Sequence, residues 1–188
     1  MTVAETSSAH LALAQRWIST QKPQISSLVR YGGLIDCLYV SIGRATINDL
    51  GRLCEIEREC FTLEAFSRLQ IAQLLENPHA ISLVARVSSD IAGFIIGSIE
   101  RVGEVVFGHI YTLDIAVKYR RKGIGMKLLN RLEQEFLEEN VRECYLEARM
   151  NNTAALELYH KHGYARVKLL RNYYSKGSHG ILLVKRLH

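Results

Sequence analysis

Residues 117–126 read VKYRRKGIGM, and this stretch decides the fold because it joins a strand pattern to a helix pattern. The segment before it, 105–117, has the composition of a long β-strand. The segment after it, 122–139, has the periodicity of an amphipathic helix, with one face formed by Ile124, Leu128, Leu132 and Phe136. A further strand pattern follows at 144–150. Together these elements predict a right-handed β-α-β unit whose two strands are parallel.

The turn inside this unit carries two glycines and three adjacent basic residues. Amide groups at the start of a helix bind anions, and glycine lets a ligand approach the backbone closely. Arg120, Arg121 and Lys122 add positive charge beside Gly123 and Gly125. The stretch lacks the G-x-x-x-x-G-K-[ST] pattern of P-loops and the third glycine of the dinucleotide fingerprint. We predict a phosphate-binding turn; the alternative is a glycine-rich turn with solvated charges.

Strand and helix patterns outside this unit complete one domain. We predict strands at 38–44, 81–87, 91–100, 164–170 and 181–187, and helices at 46–59, 64–76 and 152–162. The order β-α-α-β-β-β-α-β-α-β-β predicts an α/β (α+β) fold, with a mixed, mostly antiparallel central sheet of about seven strands and helices on both faces. This domain spans 38–188. Residues 1–37 are predicted to be a partly helical N-terminal extension.

The composition is that of an ordinary globular protein, with 48% hydrophobic and 23% charged residues. No apolar run approaches the roughly 20 residues of a membrane span, and the N-terminus lacks the apolar core of a signal peptide. We therefore expect a cytoplasmic protein. The four cysteines lack metal-ligand spacing, so we expect reduced thiols and no metal. The net charge of +5 suits an anionic cofactor, and no recognition-helix pattern indicates specific nucleic-acid binding.

Three motifs, taken in order, resemble one enzyme superfamily. Arg120-x-x-Gly123-x-Gly125 resembles R/Q-x-x-G-x-G/A, the pyrophosphate-binding signature of GNAT acetyltransferases. Residues 146–164, LEARMNNTAALELYHKHGY, are similar to the L-E-V-R-x-x-N-x-x-A-x-x-L-Y-x-x-x-G-F segment of ribosomal-protein alanine N-acetyltransferases and of archaeal and eukaryotic protein N-terminal acetyltransferases. Residues 171–174, RNYY, match their R-x-Y-Y segment. The resemblance covers about residues 38–187 and implies a GNAT-type fold.

The resemblance implies acetyl-CoA as cosubstrate, bound at the central β-α-β unit, and no metal. It implies that the backbone of 121–126 holds the phosphates and that 115–117 pairs with the pantetheine arm. An amide near Ile115 would then donate to the oxyanion. The residues expected to contact acetyl-CoA are Ile115, Ala116, Val117, Arg120, Arg121, Lys122, Gly123, Ile124, Gly125, Met126, Asn152 and Tyr159.

Acetyl transfer needs a base for the amine and an acid for the leaving thiolate. By resemblance, Glu147 is the first candidate for the base, often acting through water, and His109 is the second. Tyr159 is the candidate acid. The structural alternatives are a Glu147–Arg149 pair, a core histidine and a core tyrosine. No cysteine has a base beside it in the sequence, which favours direct attack in a ternary complex.

The acceptor implied by the resemblance is the α-amino group of protein or peptide N-termini, including ribosomal and nascent-chain proteins. Tyr173 and Tyr174 are expected to form one wall of the peptide groove, and Phe61 and Glu64 the opposite wall. Thr62 stands where related enzymes often have proline. The alternatives are transfer to a lysine side chain or a small amine, or a CoA-binding module without turnover.

Overall fold

The computed structural model describes residues 39–61 and 65–188, so the predicted extension at 1–37 and Glu64 lie outside the described residues. Its element order is the predicted one. In chain order the elements are β1 (Val40–Arg44), α1 (Leu50–Cys60), α2 (Arg68–Glu76), β2 (Ala80–Val87), β3 (Asp90–Val102), β4 (Val105–Ile115), α3 (Ile124–Glu138), β5 (Glu143–Arg149), α4 (Thr153–Lys161), β6 (Ala165–Ser175) and β7 (Ser178–Arg186).

The seven strands form one mixed sheet in the order β1-β2-β3-β4-β5-β7-β6. Every neighbouring pair is antiparallel except β4 and β5, which confirms the predicted parallel pair. The parallel ladder holds three residue pairs, Gly108 with Cys144, His109 with Tyr145, and Ile110 with Leu146. Past these pairs β4 continues to Ile115 and β5 to Arg149, so the two strand ends separate and a cleft opens between them.

Helices cover both faces of the sheet, as predicted. α3 and α4 pack on one face, and α1 and α2 pack on the other. Phe136 of α3 lies in a slot made by two glycines, because a Cβ at Gly97 or Gly108 would lie 2.9 or 2.5 Å from its ring. A buried side chain of this size stabilises the fold by about 2 kcal/mol. No helix within the described ranges is both long and apolar enough to cross a membrane.

Several predicted boundaries are wrong, and for three of them the local cause is clear. β4 ends at Ile115, and Val117–Tyr119 forms a 3-10 turn instead of extending the strand. α2 begins at Arg68, since Ser67 and Gln70 form a capping box that fixes the helix start. β6 runs on to Ser175 through an irregular stretch, so the two tyrosines of the RNYY segment lie within a strand.

Candidate active site

The cleft between the separating ends of β4 and β5 has a volume of about 260 Å³. It brings together seven of the side chains singled out from the sequence: Phe61, His109, Glu147, Asn152, Tyr159, Tyr173 and Tyr174. A larger hollow of about 560 Å³, lined by Arg44 and by Glu139 beside the C-terminal end of α3, contains none of them. The candidate active site is therefore the smaller cavity.

The turn before α3 has the geometry of an anion site. The helix begins at Ile124 without a side-chain cap, so its first amide groups have no partner within the helix. Gly123 has a left-handed φ of 76°, which residues with a Cβ adopt only with strain. Gly125 has a different role: a Cβ there would lie 3.2 Å from Leu158, so this glycine lets α3 and α4 pack closely.

The basic residues of the turn are exposed beside the helix start. Arg120 donates from Nε to the carbonyl of Ile115 at 3.0 Å, and its Nη2 lies 3.3 Å from Sγ of Cys60. In this structure Arg120 therefore braces the end of β4. Lys122 lies over the ring of Tyr119, 5.7 Å from its centroid. Arg121 is exposed, and Met126 is partly buried in the first turn of α3.

The 115–117 segment, which the sequence analysis assigns to the pantetheine arm, already has protein partners. The Ala116 amide donates to the carbonyl of Ala92 at 2.9 Å, and the Val117 amide donates to the Glu59 carboxylate at 3.1 Å. Strand pairing with a ligand would therefore involve the edge of β4 that faces the cleft, where the ladder with β5 has ended.

His109 lies between two carboxylates. Its Nε2 is 2.9 Å from Oε2 of Glu147, and its Nδ1 is 3.0 Å from Oε1 of Glu100. Burial lowers the pKa of His109, but the two carboxylates outweigh burial and raise that pKa to about 9. The imidazole is therefore positively charged at neutral pH, with an N–H directed at each carboxylate.

Tyr159 is buried, and it lines the cleft. Burial, followed by the nearby Asp114 carboxyl, raises the pKa of this phenol, so it stays protonated. Its ring packs edge-on against Tyr164, with ring centroids 5.4 Å apart. Asn152 caps α4 by accepting from the Ala155 amide at 3.1 Å, while its side chain also lines the cleft.

Aromatic side chains close the cleft. Tyr174 donates its hydroxyl to the main-chain carbonyl of Glu147 at 3.1 Å, and Arg149 lies over its ring at 5.1 Å. Tyr173 packs edge-on against Tyr174. On the other side, Phe61 follows α1 directly. Glu64, predicted beside it, lies outside the described residues.

Several residues near the cleft were missed in the sequence analysis. Glu57 and Asp114 are buried on either side of Thr112, whose hydroxyl lies 2.8 Å from Asp114 and 3.5 Å from Glu57. Burial, and then Glu57, raise the pKa of Asp114 well above its ordinary value. Glu57 also accepts the Phe66 amide at 2.9 Å, which ties the loop after α1 to the sheet. The signal was a carboxylate on an otherwise apolar helix face.

An acetyl group bound in this cleft would lie among a carboxylate, a charged imidazole and a protonated phenol. Such groups can accept and donate the protons that acyl transfer requires. Residues 50–164 match the Acetyltransferase (GNAT) family. The matched range covers more than half of the chain and includes the phosphate-binding turn, Glu147 and Tyr159. The chain therefore belongs to the GNAT family of acetyltransferases.

Individual relatives extend this finding. The N-alpha-acetyltransferase of Sulfurisphaera tokodaii is 31% identical over 155 residues, which are 78% of this chain and 92% of that protein. The N-alpha-acetyltransferase RimI of Mycobacterium tuberculosis is 34% identical over 143 residues, 72% of this chain and 84% of that protein. Among solved structures, Arabidopsis thaliana NAA60 in complex with acetyl-CoA has the same fold, with a TM-score of 0.72 at 22% identity, covering 79% of this chain and 99% of that one.

Proposed function

We propose that this protein transfers the acetyl group of acetyl-CoA to the N-terminal α-amino group of proteins or peptides, by direct attack in a ternary complex. The observation that carries the proposal is the cleft itself, where Glu147 and the Tyr159 hydroxyl line one cavity. The names of the two N-alpha-acetyltransferase relatives support this acceptor.

The residues at the proposed acetyl-CoA site suit the diphosphate and the pantetheine arm of this cosubstrate. The uncapped start of α3 offers amide donors, and the exposed Arg121 and Lys122 add positive charge. The edge of β4 past Ile110 offers main-chain groups to the pantetheine arm. An amide of this edge near Ile115 would donate to the oxyanion of the tetrahedral intermediate.

The proposed chemistry moves two protons. The amine nitrogen forms a bond to the acetyl carbon and the carbon–sulfur bond breaks. Glu147 accepts the proton lost by the amine, directly or through water, because His109 is already protonated at neutral pH. An α-amino group has a pKa of about 8, so it needs little help. Tyr159 donates its phenolic proton to the departing thiolate.

The test uses acetyl-CoA, short peptides and detection of the released thiol. A peptide with a free N-terminus and no lysine should be acetylated, as mass spectrometry of the fragments will show. A matched peptide with a blocked N-terminus and one internal lysine should not react. Preferential reaction of the lysine peptide would overturn the proposed acceptor, and binding of acetyl-CoA without reaction of either peptide would indicate a module without turnover.

The donor site has a matched pair of variants. Gly123→Asp places a negative charge at the start of α3 and should weaken acetyl-CoA binding at least about tenfold in calorimetry. Gly103→Asp makes the same substitution at another left-handed glycine with open space around it, in the turn between β3 and β4. It should leave binding unchanged. Equal affinities in the two variants would contradict the assignment of the phosphate site.

The proposal also includes the substrates, the compartment and the role of residues 1–37. The candidate substrates include ribosomal and nascent-chain proteins, which would place the reaction in the cytoplasm. Residues 1–37 are proposed to be dispensable for chemistry, because the family match begins at residue 50. A chain shortened to begin near Cys37 should keep its kcat/KM on short peptides. Loss of activity in a folded shortened chain would show that the extension contributes to the site.

A further inference from the structure

We propose that Glu100 is a positioning residue of this active site, which holds the His109 ring so that its Nε2–H stays directed at the Glu147 carboxylate. The inference rests on the proposed function, because it takes Glu147 as the group that accepts the amine proton. Glu100 lies on β3, next to the strand that carries His109.

Glu100 is the centre of a polar cluster. Its Oε1 lies 3.0 Å from Nδ1 of His109 and 3.1 Å from the Tyr111 hydroxyl. Its Oε2 accepts the Tyr145 hydroxyl at 2.8 Å. The Ser98 hydroxyl lies 3.4 Å from Oε1. A carboxylate held by several donors has one orientation, and it imposes that orientation on the imidazole that donates to it.

Two aromatic rings enclose the same imidazole. Tyr145 stacks on it with ring centroids 4.3 Å apart and an interplanar angle of 16°. Tyr111 packs on it at 4.4 Å with an angle of 48°. The rings limit tilting of the imidazole, while the hydrogen bond from Nδ1 to Glu100 fixes its rotation about χ2. Nε2 therefore has one available direction, toward Glu147.

Glu100 itself does not line the cleft, whereas His109 and Glu147 do. It therefore acts through His109 and not on the substrate. Carboxylates that hold the second nitrogen of a functional histidine fix its tautomer and orientation in many sites. Glu100 contacts His109 and His109 contacts Glu147, and the last two line the cleft.

The groups that face His109 are two carboxylates and two phenols: Glu100 from β3, Glu147 from β5, Tyr111 from β4 and Tyr145 from β5. Burial raises the pKa of Tyr111 to about 12, so this phenol stays neutral over the working range. The carboxylates are therefore the groups that keep His109 charged. Removal of one of them should lower the pKa of His109 and release the proton on Nδ1 or Nε2.

The experiment is nitrogen-15 NMR of the histidine side chains through a pH titration. Glu100→Gln keeps the length and one oxygen acceptor but removes the charge. In the wild type, both ring nitrogens of His109 should be protonated at pH 8; in Glu100→Gln the titration midpoint should be lower by at least about one pH unit. His109→Gln assigns the signal among the seven histidines. A wild-type ring that is neutral at pH 8 would overturn the proposal without any variant.

Activity provides the second readout. The alkaline limb of kcat against pH should move to lower pH in Glu100→Gln, and turnover at pH 8 should fall about tenfold. The KM for acetyl-CoA should stay within about twofold, because Glu100 does not reach the cleft. Glu104→Gln, in the exposed turn after β3, makes the same charge change and should alter none of these values. An unchanged pH profile and an unchanged titration midpoint in folded Glu100→Gln would overturn the proposal. If no peptide is acetylated, the proposed function fails, yet the NMR titration still tests Glu100.

Discussion

Two carboxylate clusters in this domain each combine glutamate, histidine and tyrosine side chains, and they differ in what they face. Cys144 and Tyr145 are adjacent on β5, so their side chains point to opposite faces of the sheet, and each contacts one cluster. Tyr145 donates to Glu100 in the His109 cluster. Cys144 lies 3.1 Å from the hydroxyl of Tyr164, which donates to Glu133 of α3 at 2.8 Å.

The Glu133 cluster is closed on itself. Glu133 accepts Lys185 at 2.6 Å and lies 3.0 Å from Nε2 of His162. Burial raises the pKa of Glu133, but these partners outweigh burial and lower that pKa. None of the Glu133, Tyr164, His162 and Lys185 side chains lines the cleft, whereas His109 and Glu147 do. The two clusters share a glutamate, a histidine and a tyrosine, and the cluster with access to the cavity is the candidate active one.

The largest expected effect is on kcat, and it should occur in only one of the two clusters. Glu147→Gln combined with His109→Gln should lower kcat by at least about 10³-fold, because it removes the base and the charged group that holds it. Each single variant should keep more activity. Glu133→Gln with His162→Gln makes the same two substitutions in the closed cluster and should keep kcat per folded molecule. Equal rates for the two double variants would contradict the assignment of the base.

A smaller effect is expected from the two tyrosines that pack edge-on against each other. Tyr159→Phe keeps the ring and should lower kcat about 10²-fold with little change in acetyl-CoA affinity, because only the proton for the thiolate is lost. Tyr164→Phe removes a hydroxyl of the closed cluster and should leave kcat near the wild-type value. Steady-state kinetics will give kcat, and calorimetry will give the affinity for acetyl-CoA, in both variants. Wild-type turnover in Tyr159→Phe would exclude this phenol as the acid.

A substitution in the Glu133 cluster should lower the stability of the fold and leave turnover unchanged. Glu133→Gln leaves the partly buried Lys185 without its carboxylate and should lower the free energy of unfolding by about 2 kcal/mol in urea titrations. The kcat of the folded fraction should not change. A variant as stable as the wild type would show that the closed cluster does not hold the fold together.

The smallest expected effect is the pH dependence of stability. The pKa of His109 is raised to about 9 in the fold, so its contribution is complete below the unfolded value of about 6.5 and is lost as pH rises toward 9. The pKa of Glu133 is lowered, so its contribution is present above about 4.5 and is lost at more acid pH. His109→Gln should therefore flatten the alkaline side of the stability curve, and Glu133→Gln the acid side. The reverse pattern in urea titrations would contradict the assigned partners.

The sequence was sufficient for the element order and for the parallel pair, since long periodic segments and the β-α-β unit depend on local pattern. It also brought three candidate residues to one region: Glu147 and Tyr159 through the motif at 146–164, and His109 through the predicted pairing of 105–117 with 144–150. It could not place strand ends such as Ile115, where the main chain turns to bond with Ala92 and Glu59. Such ends depend on tertiary partners.

Glu100 was not predictable for a different reason. It lies nine residues before His109, across a hairpin in which Val102 pairs with Val105 and Glu100 with Phe107. A turn longer or shorter by one residue would exchange the faces of one strand, so only the structure shows that Glu100 and His109 share a face. The available signal was weak: Ser98 and Glu100 are polar positions at the end of an otherwise apolar strand.

The separated end of β4 also bears on aggregation. A strand edge with unsatisfied main-chain groups is usually a hazard, because it can pair with a strand of another molecule. Here the edge past Ile110 lines a cleft of about 260 Å³ whose other walls include Phe61, Tyr173 and Tyr174. The domain thus keeps a sheet edge ready for pairing within a cleft, bordered by aromatic side chains, and not on a flat open surface.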